Sequence, residues 1–308
     1  MRERDSKSKI LLFIEITADF LSFLAKVIMG ILSGSSAMVA EGFRSLTDTT
    51  NQIFLLIGIE SSKRAPDPKH PFGYGKERFF WAFLSALFIF EVSGVVAIWR
   101  GIEKIINPEP ITNFKINFLV LGISLALQLF TLFWSFKYYR KVAGEIKNFK
   151  ELFLKMKYVK DPTAINLWLG DIIAVMGNLL AGSALYLVLI SGNPIYDGIA
   201  SIIIGIMLLF LGLFLIQDSK ELLIGEAVSP AMYSEIIEII RSCPEVKEIV
   251  KLKTMHFTPN EILICADIDF QEGLETEEIE KVIDKIENKI KTQIPAATQI
   301  SIEVESKK

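Results

Sequence analysis

Glu41, Arg44, Asp48 and Asn51 interrupt an apolar stretch, "AEGFRSLTDTTNQ", at intervals of three, four and three residues. A helix carrying that spacing projects all four side chains from one face. Further along, Asp171 and Asn178 stand seven residues apart and share a face in the same way. Carboxylate and amide oxygens are hard donors that suit divalent cations, and two such faces meeting would line a water-accessible cation path. An ionisable group in lipid costs at least about 2.5–3.5 kcal/mol, which makes each one a functional candidate. Glu15, Asp19 and Lys26 in the first apolar run, Glu91 in the third and Gln128 in the fourth extend the set. The structural alternative pairs Arg44 with Asp48 and Asp19 with Lys26, and it suits Glu15, Lys26 and Glu91. Asp48 and Asp171, deep in their runs, favour the functional reading.

The elements that must position these groups are membrane-spanning helices. Of the 308 residues, 51% are hydrophobic, too many for an ordinary soluble domain. Six runs near the roughly 20 residues that a span requires occupy about 10–32, 37–60, 79–100, 114–136, 164–191 and 195–217. Arg2, Arg4, Lys7 and Lys9, then Lys63 to Arg78, then Lys137 to Lys160 gather on one side of such a bundle. Only Arg100, Lys104 and Lys115 fall on the other, so the positive-inside rule predicts that both termini are cytoplasmic. The opening "MRERDSKSKI" has no small-residue cleavage site after the first run and is read as a retained first span. A net charge of -3 gives no electrostatic reason to expect nucleic acid, and two cysteines with two histidines exclude a disulfide scaffold or thiolate cluster.

From about residue 226 the composition becomes that of a soluble domain. Ser229 and Pro230 open a helix in "SPAMYSEIIEIIRS". Apolar residues alternate in "EIVKLKTMHF" and in "EILICADIDF", the pattern of strands. A helix over 275–294 and a strand over 298–305 complete an αββαβ order, a small sheet with helices on one face. The expected organisation is a transport domain over 1–220 and a cytoplasmic dimerisation or regulatory domain over 221–308.

"GSSAMVAEGFRSLTDTTNQ", "RAPDPKHPFGYGKERFFWA", "GNPIYDGIASIIIG", "LLIGEA" and "TMHFTPNEILICADIDF" together resemble the cation diffusion facilitator family, nearest the branch containing the mitochondrial zinc transporter of animals. The resemblance runs from about residue 16 to 305. It implies six transmembrane helices, a metallochaperone-like, ferredoxin-like αββαβ domain, a homodimer, and export of zinc, manganese, iron, cobalt or related ions in exchange for protons. The family's four ligand positions fall on Arg44, Asp48, Leu167 and Asp171, two of which are not ligands. Glu41 matches a Glu of the nearest branch, while Gly170 and Gln128 stand where that branch often carries Glu. The metal set is then Glu41, Asp48, Asn51, Asp171 and Asn178, with Arg44 as a charge partner that Asp19 would neutralise. Such an all-oxygen set leans to Mn²⁺, Fe²⁺, Co²⁺ or Mg²⁺ over Zn²⁺.

Asp67 and His70 match the family's second metal site, with Tyr74 at a position that is His elsewhere; the competing reading is a shaped Pro- and Gly-rich loop. His256, Asp267, Asp269, Glu303 and Glu305 in the second domain are read as a solvated face. No nucleophile elbow, phosphate loop or zinc-hydrolase spacing supports an enzyme, and no cofactor beyond the transported ion is expected. The expected partners are divalent cations, protons, the lipid bilayer and a second copy of the chain, in a plasma membrane. The alternative is a non-transporting relative whose Arg44 fills the cation site permanently.

Overall fold

The computed structural model describes residues 2–144, 149–156 and 159–306, with side chains from residue 12 onward except those of residues 149, 150, 153 and 154. The side chains of Arg2, Arg4, Lys7, Lys9 and Lys150, and Lys147 and Lys157 altogether, which enter the charge asymmetry, lie outside the described residues. The chain divides into two compact units at residues 220 and 221.

Helices make up the first unit: α1 (Arg2–Ser33), α2 (Ser36–Ser61), α3 (Glu77–Phe88), α4 (Val95–Ile106), α5 (Phe114–Ala143), α6 (Phe149–Met156), α7 (Pro162–Ser191) and α8 (Ile195–Ile224), the last of which continues past residue 220. A single π-helical stretch, Ile89–Gly94, joins α3 to α4. Four stretches, Glu77–Ile106, Phe114–Ala143, Pro162–Ser191 and Ile195–Ile224, are each 30 residues long and apolar enough to cross a membrane. At about 1.5 Å per residue, each exceeds the roughly 30 Å of a hydrocarbon core. With 32 and 26 residues, α1 and α2 are long enough as well, but they carry the charged residues of the site.

Burial runs opposite to that of a soluble protein. Phe13, Leu119, Phe133, Leu187 and Phe210 are exposed, whereas Lys26, Glu41, Arg44 and Asn117 are buried. That distribution suits helices whose outer surface meets lipid and whose polar groups must find partners inside. Glu91, for which the sequence favours the structural alternative, is exposed on the π-helical stretch. One extra residue in that turn rotates the side chain off the face that a regular helix would give it.

Glycines bring α4 and α8 together. A Cβ added at Gly101 would lie 2.6 Å from the Gly198 carbonyl oxygen, and one at Gly205 would lie 2.8 Å from that of Gly94. Gly198 and Gly205 are one heptad apart, so they repeat along one face and let the backbones close up, the small-residue packing typical of helices in lipid.

In the second unit the order is α9 (Pro230–Arg241), β1 (Val246–Thr258), β2 (Glu261–Phe270), α10 (Thr276–Gln293) and β3 (Ala297–Val304). The sheet order is β1-β2-β3, antiparallel at Leu252↔Ala266 and parallel at Ile264↔Ile300. Ile262, Ile264, Ala266 and Ile268 alternate into the core, where they meet Ile236 and Ile240 of α9 and Ile286 and Ile290 of α10. Ser229 caps α9, accepting from Met232 N at 3.3 Å, with Pro230 in its first turn. The expected solvated face holds only in part: Glu303 and Glu305 are exposed, but His256 and Asp269 are buried at 6% and 7% exposure, Asp269 pairing with Lys247 at 3.1 Å and Asp267 with Lys251 at 3.8 Å.

Candidate functional site

The face of α2 carries a buried chain of charge. Arg44 is 1% exposed; its Nε donates to Glu41 Oε2 at 3.2 Å, and its Nη1 pairs with Asp48. Lys26 of α1 reaches the same Glu41 oxygen at 3.0 Å, with both side chains fully buried. Lys26 therefore pairs with Glu41 and not with Asp19 as its own helix would suggest. Seven residues apart, Asp19 and Lys26 lie two turns from each other, whereas α2 brings a carboxylate directly alongside.

Gln128 of α5 completes the ring around Arg44. Its amide oxygen accepts from Arg44 Nη2 at 2.6 Å and its nitrogen donates to the Ala174 carbonyl at 3.0 Å. Asn178 Nδ2 donates to Ser124 Oγ at 3.1 Å, and Ser124 in turn meets Ser22 at 2.6 Å. All three guanidinium nitrogens thus have oxygen partners, the arrangement that makes a buried cation tolerable.

Among the described residues no cation pairs directly with Asp171 of α7, although the Arg44 charge reaches it. Thr131 donates to its Oδ1 at 2.9 Å, Ser135 stands near, and Oδ2 lacks a hydrogen-bond donor. Asp48, Glu15 and Asp171 are close enough to act on one another electrostatically. Glu15 and Asp19 of α1 share the Gln52 amide of α2, whose Nε2 donates to them at 3.4 and 2.7 Å.

Of the two amides read as ligands, Asn51 has its oxygen engaged and Asn178 does not. Asn51 donates to Asn166 Oδ1 at 2.8 Å and its own oxygen takes the Ser85 hydroxyl, tying α2 to α3 and α7. Asn178 donates to Ser124 through its nitrogen, while its Oδ1, the atom that would bind a cation, lacks a hydrogen-bond donor. Leu167 lies in an apolar cluster with Leu12, Leu55 and Ile59. Glu41, Asp48 and Asp171 thus face a common interior, with Asn51 to one side. Among the described residues no three His, Cys, Asp or Glu side chains stand at metal-ligand spacing.

Sequence reasoning missed Gln52, Thr131, Asn166 and Lys26's choice of partner. The only available signal was that each is polar within an apolar run; which face each takes follows from helix rotation.

The loop between α2 and α3 uses its candidate ligands to hold its own turn. Asp67 Oδ1 accepts from the backbone nitrogens of Lys69 and His70 at 3.0 and 2.7 Å, and Oδ2 from Tyr74 Oη at 2.7 Å. The Tyr74 bond, then the His70 backbone bond, hold the Asp67 carboxyl below its ordinary range, and the same carboxylate pushes the Tyr74 phenol up. His70 Nδ1 is 3.5 Å from Asp67, and the guanidinium of Arg64 covers the Tyr74 ring at 4.5 Å.

Comparison with known proteins supplies the context. Residues 12–224 match the model of the cation efflux transmembrane domain, and residues 228–307 that of the cation efflux protein cytoplasmic domain. Metal tolerance protein C4 of Arabidopsis thaliana is 32% identical over 255 residues, 82% of this chain and 55% of the plant protein. The mitochondrial proton-coupled zinc antiporter of Xenopus laevis is 29% identical over 279 residues, 89% of this chain and 50% of its own length. The chain therefore spans about half the length of these two relatives. The manganese efflux system protein MneP of Bacillus subtilis is 23% identical over 306 residues, 98% of this chain and 97% of the relative. The chain is a multi-pass membrane protein of a transporter group that is not enzymatic, and it belongs to the cation diffusion facilitator family.

Proposed function

We propose that this chain exports divalent metal cations from the cytoplasm in exchange for protons, by alternating access through six membrane-spanning helices. The observation that carries the reading is Asp171, a carboxylate inside a spanning helix with one oxygen lacking a hydrogen-bond donor, close to Asp48. A carboxylate removed from water binds either a proton or a metal ion, so cation entry displaces protons and their return releases the cation on the other face. Asp48 and Asp171 are the ligands and proton carriers, Glu41 the carboxylate that balances Lys26 and Arg44, and Asn51 and Asn178 the neutral oxygens at the margin. The absence of His and Cys from this set favours Mn²⁺, Fe²⁺ or Co²⁺ over Zn²⁺. Manganese efflux by the Bacillus relative is consistent with that preference.

In this reading residues 1–220 form the transport domain and residues 221–308 join two copies into a homodimer, with both termini cytoplasmic. The sidedness of the Lys and Arg residues supports that orientation. The plasma membrane is the proposed location. The Asp67 and His70 loop, its carboxylate already committed, acts as a structural turn and not as a second metal site.

A specific observation favours a second reading. Arg44 is bonded to both Glu41 and Asp48, and Leu167 is packed among apolar side chains, so a tethered cation takes the place of a mobile one. In that case the chain is a non-transporting structural or regulatory partner. Metal uptake into proteoliposomes under an imposed pH gradient separates the two. Flux of Mn²⁺, Fe²⁺, Co²⁺ or Zn²⁺ that drops at least about tenfold in Asp48→Ala and in Asp171→Ala marks a transporter, since removing a charged ligand costs more than 1.4 kcal/mol of cation affinity. Absence of flux from folded native protein, with flux restored by Arg44→His and Leu167→His together, marks the non-transporting partner.

A further inference from the structure

Resting on the transport reading, we infer that Glu15, Asp19 and Gln52 form a second divalent-cation seat between α1 and α2, from which the ion passes on to the α2–α7 aspartates. Charge accounting within the bundle leads there. Lys26 and Arg44 balance Glu41 and Asp48 through direct ion pairs, which leaves Glu15 and Asp19 on α1 and Asp171 on α7. Glu15 and Asp19 are four residues apart, so successive turns of one helix offer both carboxylates to the same neighbour.

That neighbour is the Gln52 amide. Its Nε2 lies 2.7 Å from Asp19 Oδ2 and 3.4 Å from Glu15 Oε2, so the positive end of a dipole bridges two acids where a cation would sit. Two buried atoms beside it lack hydrogen-bond partners. Glu15 is 1% exposed with Oε1 unpartnered, and Gln52 is 4% exposed with Oε1 unpartnered. Both orphans are acceptors, and a buried acceptor without a donor costs about 1–3 kcal/mol. A metal ion satisfies acceptors without supplying a proton. Rotation of the Gln52 amide brings its free oxygen toward the two carboxylates, giving three oxygen ligands from two helices. Water fills the remaining positions of a six-coordinate hard cation. Asp171, within electrostatic range of Glu15, is the next acceptor as the ion moves toward α7.

Equilibrium dialysis of the full-length protein in detergent against radiolabelled Mn²⁺, and separately Zn²⁺, tests the seat. Glu15→Gln and Asp19→Asn keep size and shape, and each is expected to raise the Kd for Mn²⁺ at least about tenfold, the change that corresponds to 1.4 kcal/mol. Gln52→Glu adds a third carboxylate and is expected to tighten Mn²⁺ binding several-fold, a gain that misfolding cannot produce. Unchanged affinity in Glu15→Gln and Asp19→Asn, while Asp171→Asn abolishes binding, overturns the α1 seat and leaves the transport reading standing. Native protein that binds neither ion overturns both.

Discussion

Gly177 contributes no side chain to the site, yet Glu41 rests on it. A Cβ there would collide with Glu41 Oε1, while Glu41 Oε2 is held by Lys26 and Arg44. The carboxylate cannot swing aside without loosening two buried ion pairs, so Gly177→Ala is expected to destabilise the protein by about 1–3 kcal/mol, the usual cost of overpacking. Gly182 lies on the same helix with nothing within 4 Å of an added Cβ. There the same substitution should be neutral or stabilising by up to about 1 kcal/mol, because alanine is the better helix former. Thermal unfolding of both variants in one detergent checks the contrast; equal effects would mean that Gly177 is not the support of Glu41. The common face of Glu41, Arg44, Asp48 and Asn51 was legible in their spacing, because helical periodicity alone determines it. The partners were not: Lys26 to Glu41, Gln128 to Arg44 and Asn166 to Asn51 each join different helices. Such pairings depend on how far each helix is rotated about its axis, which no local pattern encodes.

The helices that carry the site are pinned at their first turns by buried aspartates. Asp161 caps α7, accepting from Thr163 N at 3.1 Å, Tyr138 Oη at 2.9 Å and Arg78 Nη2 at 3.1 Å. Asp197, fully buried at the start of α8, accepts from Ser36 N at 2.6 Å and Ala37 N at 3.2 Å and so covers the first turn of α2. A cap alone is worth about 1 kcal/mol. Loss of the carboxylate opposite a buried guanidinium costs about 3–5 kcal/mol, and Asp161 and Arg78 are each 6% exposed. Asp161→Ala is therefore expected to lower stability by several times the cost of a cap, and Asp161→Asn, which keeps an acceptor for Thr163 N, by less. Denaturation of the two variants against native protein checks this ranking, and a loss near 1 kcal/mol for both would reduce Asp161 to an ordinary cap. Most helix positions were readable because the runs are long and largely apolar, and the strands because Ile262, Ile264, Ala266 and Ile268 alternate; α6, inside a basic connection, was not. The π-helical stretch Ile89–Gly94 was not, since its composition matches that of the helices on either side.

At the scale of the molecule, the proposed orientation would tie the site to a direction of transport. The loop between α2 and α3 carries Lys63, Arg64, Lys69 and Lys76, whereas the connection from α4 to α5 carries no cation from Ile105 to Phe114. Under the proposed orientation the cluster of cations is retained on the cytoplasmic side, which would put these two loops on opposite faces. Phe72, exposed in the first loop, and Pro108, exposed in the second, accept a cysteine without disturbing a core. The native Cys243 and Cys265 lie in the second unit and are replaced by serine beforehand. In intact cells, a maleimide that cannot cross the membrane is expected to label Pro108→Cys, and to label Phe72→Cys only after the membrane is opened. Labelling of both before opening, or of neither, would break the parity on which six spans and a cytoplasmic second domain depend. The opposite labelling would keep the parity and reverse the protein, turning export into import while leaving the chemistry of Asp48 and Asp171 unchanged.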